Sequence, residues 1–331
     1  MDLGNRISLM LELGKMMSSE EPRWQEAKKR AFEHNSWFTP EFTDYATAQI
    51  VNRYLQRDQL EQWVQSYQIP RQNNNPRNLG LVMAGNIPLV GFHDFLSAFI
   101  SGHRQFIKLS SKDQILMEAL LDFIHKADPE TRDLIQTATM LKGCDAYIAT
   151  GSNNTARYFD YYFKKYPSLI RRNRTSVAIL DGNESKSDLE NLADDVYLYF
   201  GLGCRNVTKI FVPEHYDFAP LLSAFNKYRR LADHNKYKNN YDYQLSLAIL
   251  NKRFYMTNES ILLLQEESPF SAISVLHYTF YKSRDQVIPQ AHPENIQCVL
   301  GKDFIPFGKS QHPVLTDYAD GADTLSFLRN I

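Results

Sequence analysis

Cysteine is scarce in this 331-residue chain: Cys144, Cys204 and Cys298, an odd number at wide spacing. That excludes a disulfide framework and argues against a zinc cluster, both of which need paired or closely spaced ligands. No apolar run approaches the roughly 20 residues a spanning helix needs, so no membrane span is expected. The opening MDLGNRISLMLELGKMM has no basic segment followed by a continuous apolar stretch, so it does not read as a signal peptide. Net charge is nearly absent as well: 37 Lys and Arg stand against 38 Asp and Glu, a balance of -1. Without a global field, nucleic acid and anionic membrane are not expected partners. There is no internal repeat, no low-complexity segment and no complete G-x-G-x-x-G. What remains is the expectation of a soluble, cytoplasmic α/β protein.

The chain is 43% hydrophobic and 13% aromatic, enough for a sizeable core and about two domains at roughly 150 residues each. Residues 1–68 carry apolar positions at three- and four-residue steps and predict helices. IPRQNNNPRN (69–78) is a polar connector bracketed by prolines. From there short apolar runs alternate with helical patterns: LGLVMA, then LVGFHDFLSAFIS closed by Gly102, then QFIKLS, then KDQILMEALLDFIHKA, then DAYIAT, then SNNTARYFDYYFKKY. Such alternation predicts a parallel sheet covered on both faces. Ligands bind beyond the carboxyl ends of such strands, which singles out Gly85–Pro88, Lys108–Ser111 and Thr150–Asn153.

A second unit begins after IRRNRT with the strand SVAIL and the helix SKSDLENLADDVYLYF, where Ser187 and Glu190 have capping-box spacing. Gly201 suits a left-handed cap, and TKIFVP is the next strand. Residues 234–243 read as a surface loop, while ILLLQEESPFSAISVLHY and NIQCVLG supply further strands. Cys204 therefore falls in a turn between helix and strand, with Gly203 before it and Arg205 after it. A thiol reacts as thiolate, which a nearby cation favours and a nearby carboxylate opposes. Cys144 precedes Asp145, and Cys298 lies inside the apolar IQCVL, where an inert thiol is the ordinary outcome. Cys204 is the nucleophile candidate, against the alternative of a small residue in a tight turn.

Four loops now fall into a known order, and from about Leu79 to about Asp323 the chain resembles the aldehyde dehydrogenase superfamily. Within it the resemblance is to the luminescence-type (LuxC-like) acyl-CoA reductases. Asn86-Ile87-Pro88-Leu89 matches the family's asparagine-proline loop, and SGHRQFIKLSS matches its lysine strand, placing that lysine at Lys108. ATGS (149–152) is similar to the turn that meets the cofactor pyrophosphate, and GLGCRNVTKIFV is similar to the nucleophile loop. The residues suit these roles: Gly151 and Ser152 open a helix, where N–H groups can bind phosphate, and Asn86 can donate to an oxyanion. Glu267 in EESPF resembles the glutamate that holds the nicotinamide ribose, and Phe307-Gly308 resembles a motif near the substrate tunnel. Oxidising members carry glu-leu-gly-gly one strand and helix before the cysteine, and that glutamate activates water. Here the corresponding stretch is Ile170-Arg171-Arg172-Asn173, without a carboxylate.

The resemblance implies an α/β, aldehyde-dehydrogenase-like fold with a Rossmann-like parallel-sheet cofactor domain and a smaller α/β catalytic domain. Residues 1–174 would hold the helical N-terminal region and the dinucleotide-binding domain, with 301–331 as a candidate completion, and 175–300 the catalytic domain. It implies NADP(H), an acyl-CoA or acyl-thioester substrate, a thioacyl enzyme on Cys204 and no metal, and leaves room for a homo-oligomer. Two rivals stand beside it: an aldehyde dehydrogenase of another subclass, and a non-reducing acyl-carrying or interaction relative.

Overall fold

Helical spacing of Leu9, Met10, Leu13 and Met17 gives α1 (Leu3–Met17) a buried stripe. Three more helices follow: α2 (Pro22–His34), α3 (Pro40–Tyr54) and α4 (Arg57–Ser66). Pro22 and Pro40 each sit in the first turn, where a missing N–H costs nothing, and the Glu21 and Thr39 side chains cap the starts. The computed structural model describes residues 1–288, 290 and 294–331, with Asn153 described by its backbone.

The chain divides into two units: Met1–Asn173 with Pro313–Ile331, and Arg174–His312. In the first, β1 (Asn78–Val82), α5 (Phe92–Ser101), β2 (Arg104–Lys108), α6 (Gln114–Ala127), β3 (Ile135–Thr137), β4 (Ala146–Thr150), α7 (Asn153–Phe163) and β5 (Ser168–Arg171) alternate. α5 stops at Gly102, whose φ of +76° is a left-handed conformation that favours glycine. The sheet is parallel throughout, in the order β3-β2-β1-β4-β5. That is the order of the first five strands of a doubly wound dinucleotide-binding sheet. Two of these strands were not anticipated. β3 and β5 are edges of three and four residues, too short and too polar to show a period.

The C-terminal segment completes this unit through α12 (Thr324–Arg329), which buries Leu325 and Leu328. Arg171, 2% exposed, fastens it by donating to Asp94 Oδ1 at 2.7 Å, to Thr324 Oγ1 at 2.6 Å and to the Ala319 carbonyl.

The second unit contains β6 (Thr175–Ile179), α8 (Lys186–Tyr197), β7 (Val207–Pro213), α9 (Ala219–Phe225), α10 (Asn235–Leu250), β8 (Met256–Thr257), β9 (Leu262–Gln265), β10 (Val275–Tyr281), α11 (Arg284–Val287) and β11 (Ile296–Gly301). Its sheet runs β11-β6-β7-β10-β9-β8, parallel except for β8. Residues 301–312 stay with this unit, because Leu300 bridges to Ile305 and Asp195 of α8 accepts from the Gly308 and Ser310 N–H groups.

Two local expectations are corrected. The capping box of α8 is Ser185 with Asp188, not Ser187 with Glu190, because the chain leaves its extended conformation at Ser185. Residues 234–243 are not a surface loop but open α10, which buries Tyr237, Tyr241 and Ala248. The polar Asn and Lys between them hid the spacing of those tyrosines.

Candidate active site

In the first unit Val82, Lys108 and Ala149 stand level across three neighbouring strands. The residues just beyond them form one rim at the carboxyl edge. Asn86 is exposed on the β1–α5 loop, Lys108 is exposed at the end of β2, and Gly151 and Ser152 join β4 to α7. Close packing dictates the glycines. A Cβ on Gly85 would lie 2.4 Å from Ser110 Oγ, and one on Gly151 would lie 3.0 Å from Thr155 Cβ. Ser152 is the N-cap of α7, accepting from the Thr155 N–H at 3.3 Å.

Asp113 joins the β1–α5 and β2–α6 loops of this rim. It is 4% exposed, and its Oδ2 accepts from the Leu89 N–H at 2.7 Å. Leu89, three residues after Asn86, has a φ of +56° and is held there by this bond and by burial. Burial pushes the Asp113 carboxyl well above the usual range, and the Leu89 bond offsets part of it. From outside, His34 and Asn35 bond to the carbonyls of Ser111 and Lys112. The sequence showed Asp113 only as the first acid of a helix; the structure makes it an internal link.

In the second unit α8 ends at Tyr197 and the next residues turn sharply. Tyr199, Phe200 and Gly201 have φ of +55°, +58° and +74°. A left-handed conformation costs a non-glycine residue about 1–2 kcal/mol, so the expected single glycine cap is a three-residue left-handed segment strained at Tyr199 and Phe200. Asn206, fully buried, holds it. Its Nδ2 donates to the carbonyls of Asp195 and Leu198 at 3.0 and 2.8 Å, and its Oδ1 accepts from the Gly203 N–H at 2.8 Å. The Asn206 N–H closes the turn onto the Gly203 carbonyl at 3.0 Å, and Ser176 Oγ donates to the Cys204 carbonyl at 3.0 Å. Cys204 is thereby displayed, half-buried, on a turn fixed at both ends and directly before β7.

Arg205 Nη1 reaches Cys298 Sγ at 3.3 Å and the Ser310 carbonyl at 3.5 Å. Asp195 holds the same segment, accepting from Gly308 N–H at 2.5 Å and Ser310 N–H at 3.0 Å; burial pushes its carboxyl up to about 6, against those bonds. Burial also raises the Cys144 thiol, with Asp145 adding to the effect. Glu267 lies just past β9, 80% exposed, 3.7 Å from the buried ammonium of Lys209. Asn206 and Lys209 were missed by sequence reasoning. For Lys209 a signal existed: a charge inside the apolar run TKIFVP. Among the described residues no cluster of His, Cys, Asp or Glu able to hold a metal ion is present, and no helix is long and apolar enough to cross a membrane.

A sequence profile described as acyl-CoA reductase (LuxC) matches residues 46–223, more than half of the chain. The chain belongs to the LuxC acyl-CoA reductase family. Its chemistry is therefore that of an oxidoreductase at the aldehyde level. No curated protein matches by sequence. Solved structures share the fold of this family member. Aldehyde dehydrogenase 21 from Physcomitrella patens, in complex with its product succinate, has a TM-score of 0.70 at 11% identity, covering 92% of this chain and 74% of its own. The NAD+ complex of an aldehyde dehydrogenase from Bacillus cereus has a TM-score of 0.65 at 14% identity, covering 91% and 72%. An NADP-dependent enzyme from E. coli has a TM-score of 0.64 at 10% identity, covering 91% and 73%. This LuxC-family chain thus has the aldehyde dehydrogenase fold.

Proposed function

We propose that this protein reduces a fatty acyl-CoA to the aldehyde with NADPH through a thioacyl enzyme on Cys204. The observation that carries the reading is the Cys204 turn, which Asn206 and Ser176 fix at the mouth of β7. Cys204 Sγ attacks the thioester carbonyl; a carbon–sulfur bond forms to the enzyme, the bond to CoA breaks, and CoA leaves as its thiol. The Cys204 N–H and the Asn86 amide are the assigned oxyanion donors, a role that lowers the barrier because such donors are fixed before charge develops. NADPH, when bound, supplies the hydride that takes the thioacyl carbonyl to a thiohemiacetal. That adduct expels the aldehyde and restores the Cys204 thiolate, so one hard displacement becomes two easier steps.

The rim of the first unit fits a dinucleotide. Gly85 and Gly151 let these turns pack closely on Ser110 and Thr155, and Ser152 opens α7, where N–H groups suit a phosphate. Lys108, Ser110 and Ser111 suit a 2′-phosphate. Asp113 supports this preference, since its carboxyl is buried against Leu89 rather than offered to a ribose hydroxyl. Reduction is favoured over aldehyde oxidation by residues 170–173. That stretch has no carboxylate of its own, and the two carboxylates against it, Asp94 and Asp160, are each paired with an arginine, Arg171 and Arg172.

The test mixes the protein with a panel of acyl-CoA thioesters and either NADPH or NADH, following nicotinamide absorbance and intact mass. Acylation and NADPH oxidation are expected in the wild type, both abolished in Cys204→Ala with the fold retained. Activity that survives in Cys204→Ala and disappears in Cys144→Ala would move the nucleophile. An acyl adduct without nicotinamide oxidation would identify an acyl carrier instead.

A further inference from the structure

Lys209 lies inside β7 with a side chain only 3% exposed. A buried ammonium is costly unless it is paired and hydrogen-bonded, and burial pulls its pKa down while Glu267 and Glu266 pull it back. Its hydrogen-bond, ion-pair and ring partners among the described residues lie in one short stretch or on its own strand. Nζ donates to the Glu267 carbonyl at 2.6 Å, stands 3.7 Å from the Glu267 carboxylate, and lies 4.9 Å from the Phe211 ring centre. His277, its register partner on β10, bonds through Nδ1 to the next carbonyl, that of Ser268, at 2.9 Å. Thr208 donates to the one after, that of Pro269, at 2.6 Å.

Three successive carbonyls, 267 to 269, are therefore each held by a side chain from adjacent strands. A loop that merely linked β9 to β10 would leave such groups to water, which is at hand because Glu267 is 80% exposed. Ordering an exposed carboxylate costs side-chain freedom. Here the main chain beneath it is pinned, and a fixed positive charge aims the group.

We propose that Lys209, with His277 and Thr208, is the positioning residue that presents the Glu267 carboxylate to the ribose hydroxyls of the nicotinamide cofactor. This rests on the function proposed above. Acylation of Cys204 needs no cofactor, so the two can be read apart: CoA release in a single turnover reports acylation, and NADPH titration reports KM. Lys209→Met is expected to raise the KM for NADPH about tenfold, the scale of one hydrogen bond to a charged group, with acylation within about twofold of wild type. Lys209→Arg, which keeps a charged donor, is expected to recover most of that affinity.

Glu267→Gln separates the two claims. No acylation in the wild type would sink the proposed function itself. An unchanged NADPH KM in Glu267→Gln removes the ribose assignment and the positioning role with it. A raised KM in Glu267→Gln beside an unchanged one in Lys209→Met overturns the positioning role alone. So does equal loss of acylation and affinity in Lys209→Met, which would mark general scaffolding. Should Lys209→Met fail to fold, Thr208→Val, which removes the donor to Pro269 together with the hydroxyl contact to Thr175, is expected to raise the NADPH KM about threefold, a fraction of one hydrogen bond. No change there overturns the proposal.

Discussion

A carboxyl group that is 4% exposed, with Oδ1 unpartnered and Oδ2 on the Leu89 N–H, sets a clear pH dependence. Asp113 has its pKa raised in the folded state by burial. The folded protein therefore holds its proton more tightly than the unfolded chain. The stability this contributes is full below the unfolded carboxylate value of about 3.9 and is lost as pH rises through the folded value. Asp113→Asn keeps an acceptor for Leu89 and cannot ionise. Relative to wild type its stability is expected to increase from pH 4.5 to pH 8, because only the wild type must ionise a buried carboxyl as pH rises. Urea midpoints at those two pH values read it directly, since other groups titrate alike in both proteins. A pH-independent difference would show that Asp113 is ionised where it sits. At the same scale, Asn206→Ala would strand buried partners of three hydrogen bonds, whereas no pattern in GCRN announces that Asn206 holds anything.

Among elements, α8 matters most because it delivers the chain to Cys204. Ser185 Oγ accepts from the Asp188 N–H at 3.1 Å, and Asp188 Oδ2 accepts in return from the Ser185 N–H at 2.9 Å. Ser185→Ala is expected to cost about 1 kcal/mol, the usual cost of a lost N-cap. Ser187→Ala, on the exposed face of the first turn, is expected to be neutral or slightly stabilising, because alanine is the better helix former. Denaturant melts of the two variants compare them; a larger loss in Ser187→Ala would restore the later start. Both serines precede an acid by three residues, so spacing alone does not choose between them. Strands with continuous apolar runs, such as LGLVMA and TKIFVP, were legible because burial on both faces demands them. β3 and β5 were not legible, since edge strands carry polar residues and little length. α10 was hidden for another reason: its buried tyrosines are separated by asparagine and lysine, residues that also fill loops. The site divided along the same line. Cys204, Asn86 and Gly151 show as punctuation between elements. Asp113 and Lys209 act across long separations in sequence, and Asn206 acts on backbone groups of its own turn, which leave no side-chain pattern to read.

At the scale of the molecule, the first unit depends on a segment far from it in sequence. Trp63 Nε1 donates to Tyr318 Oη at 2.9 Å, Tyr67 donates to Asp323 Oδ2 at 2.7 Å, and His103 Nε2 bonds to the Leu328 carbonyl at 2.9 Å. Leu328 is fully buried. Leu328→Ala is expected to remove about 2–5 kcal/mol, a large share of the roughly 5–15 kcal/mol of an ordinary domain. Limited proteolysis with mass spectrometry should then find early cuts within residues 1–173 while a fragment near 174–312 persists. Early cuts confined to 174–312 would contradict this division of stability.

The same feature bears on birth order. Domains emerging from a ribosome generally settle from the N-terminus onward, yet here Arg174–His312 is uninterrupted whereas Met1–Asn173 must wait for Pro313–Ile331. The half that carries Cys204 can finish first, and the half translated first stays unfinished, with the surface that Leu325 and Leu328 will cover still open. During that interval the nascent chain is most exposed to misassociation, and α12 ends it by covering the first unit.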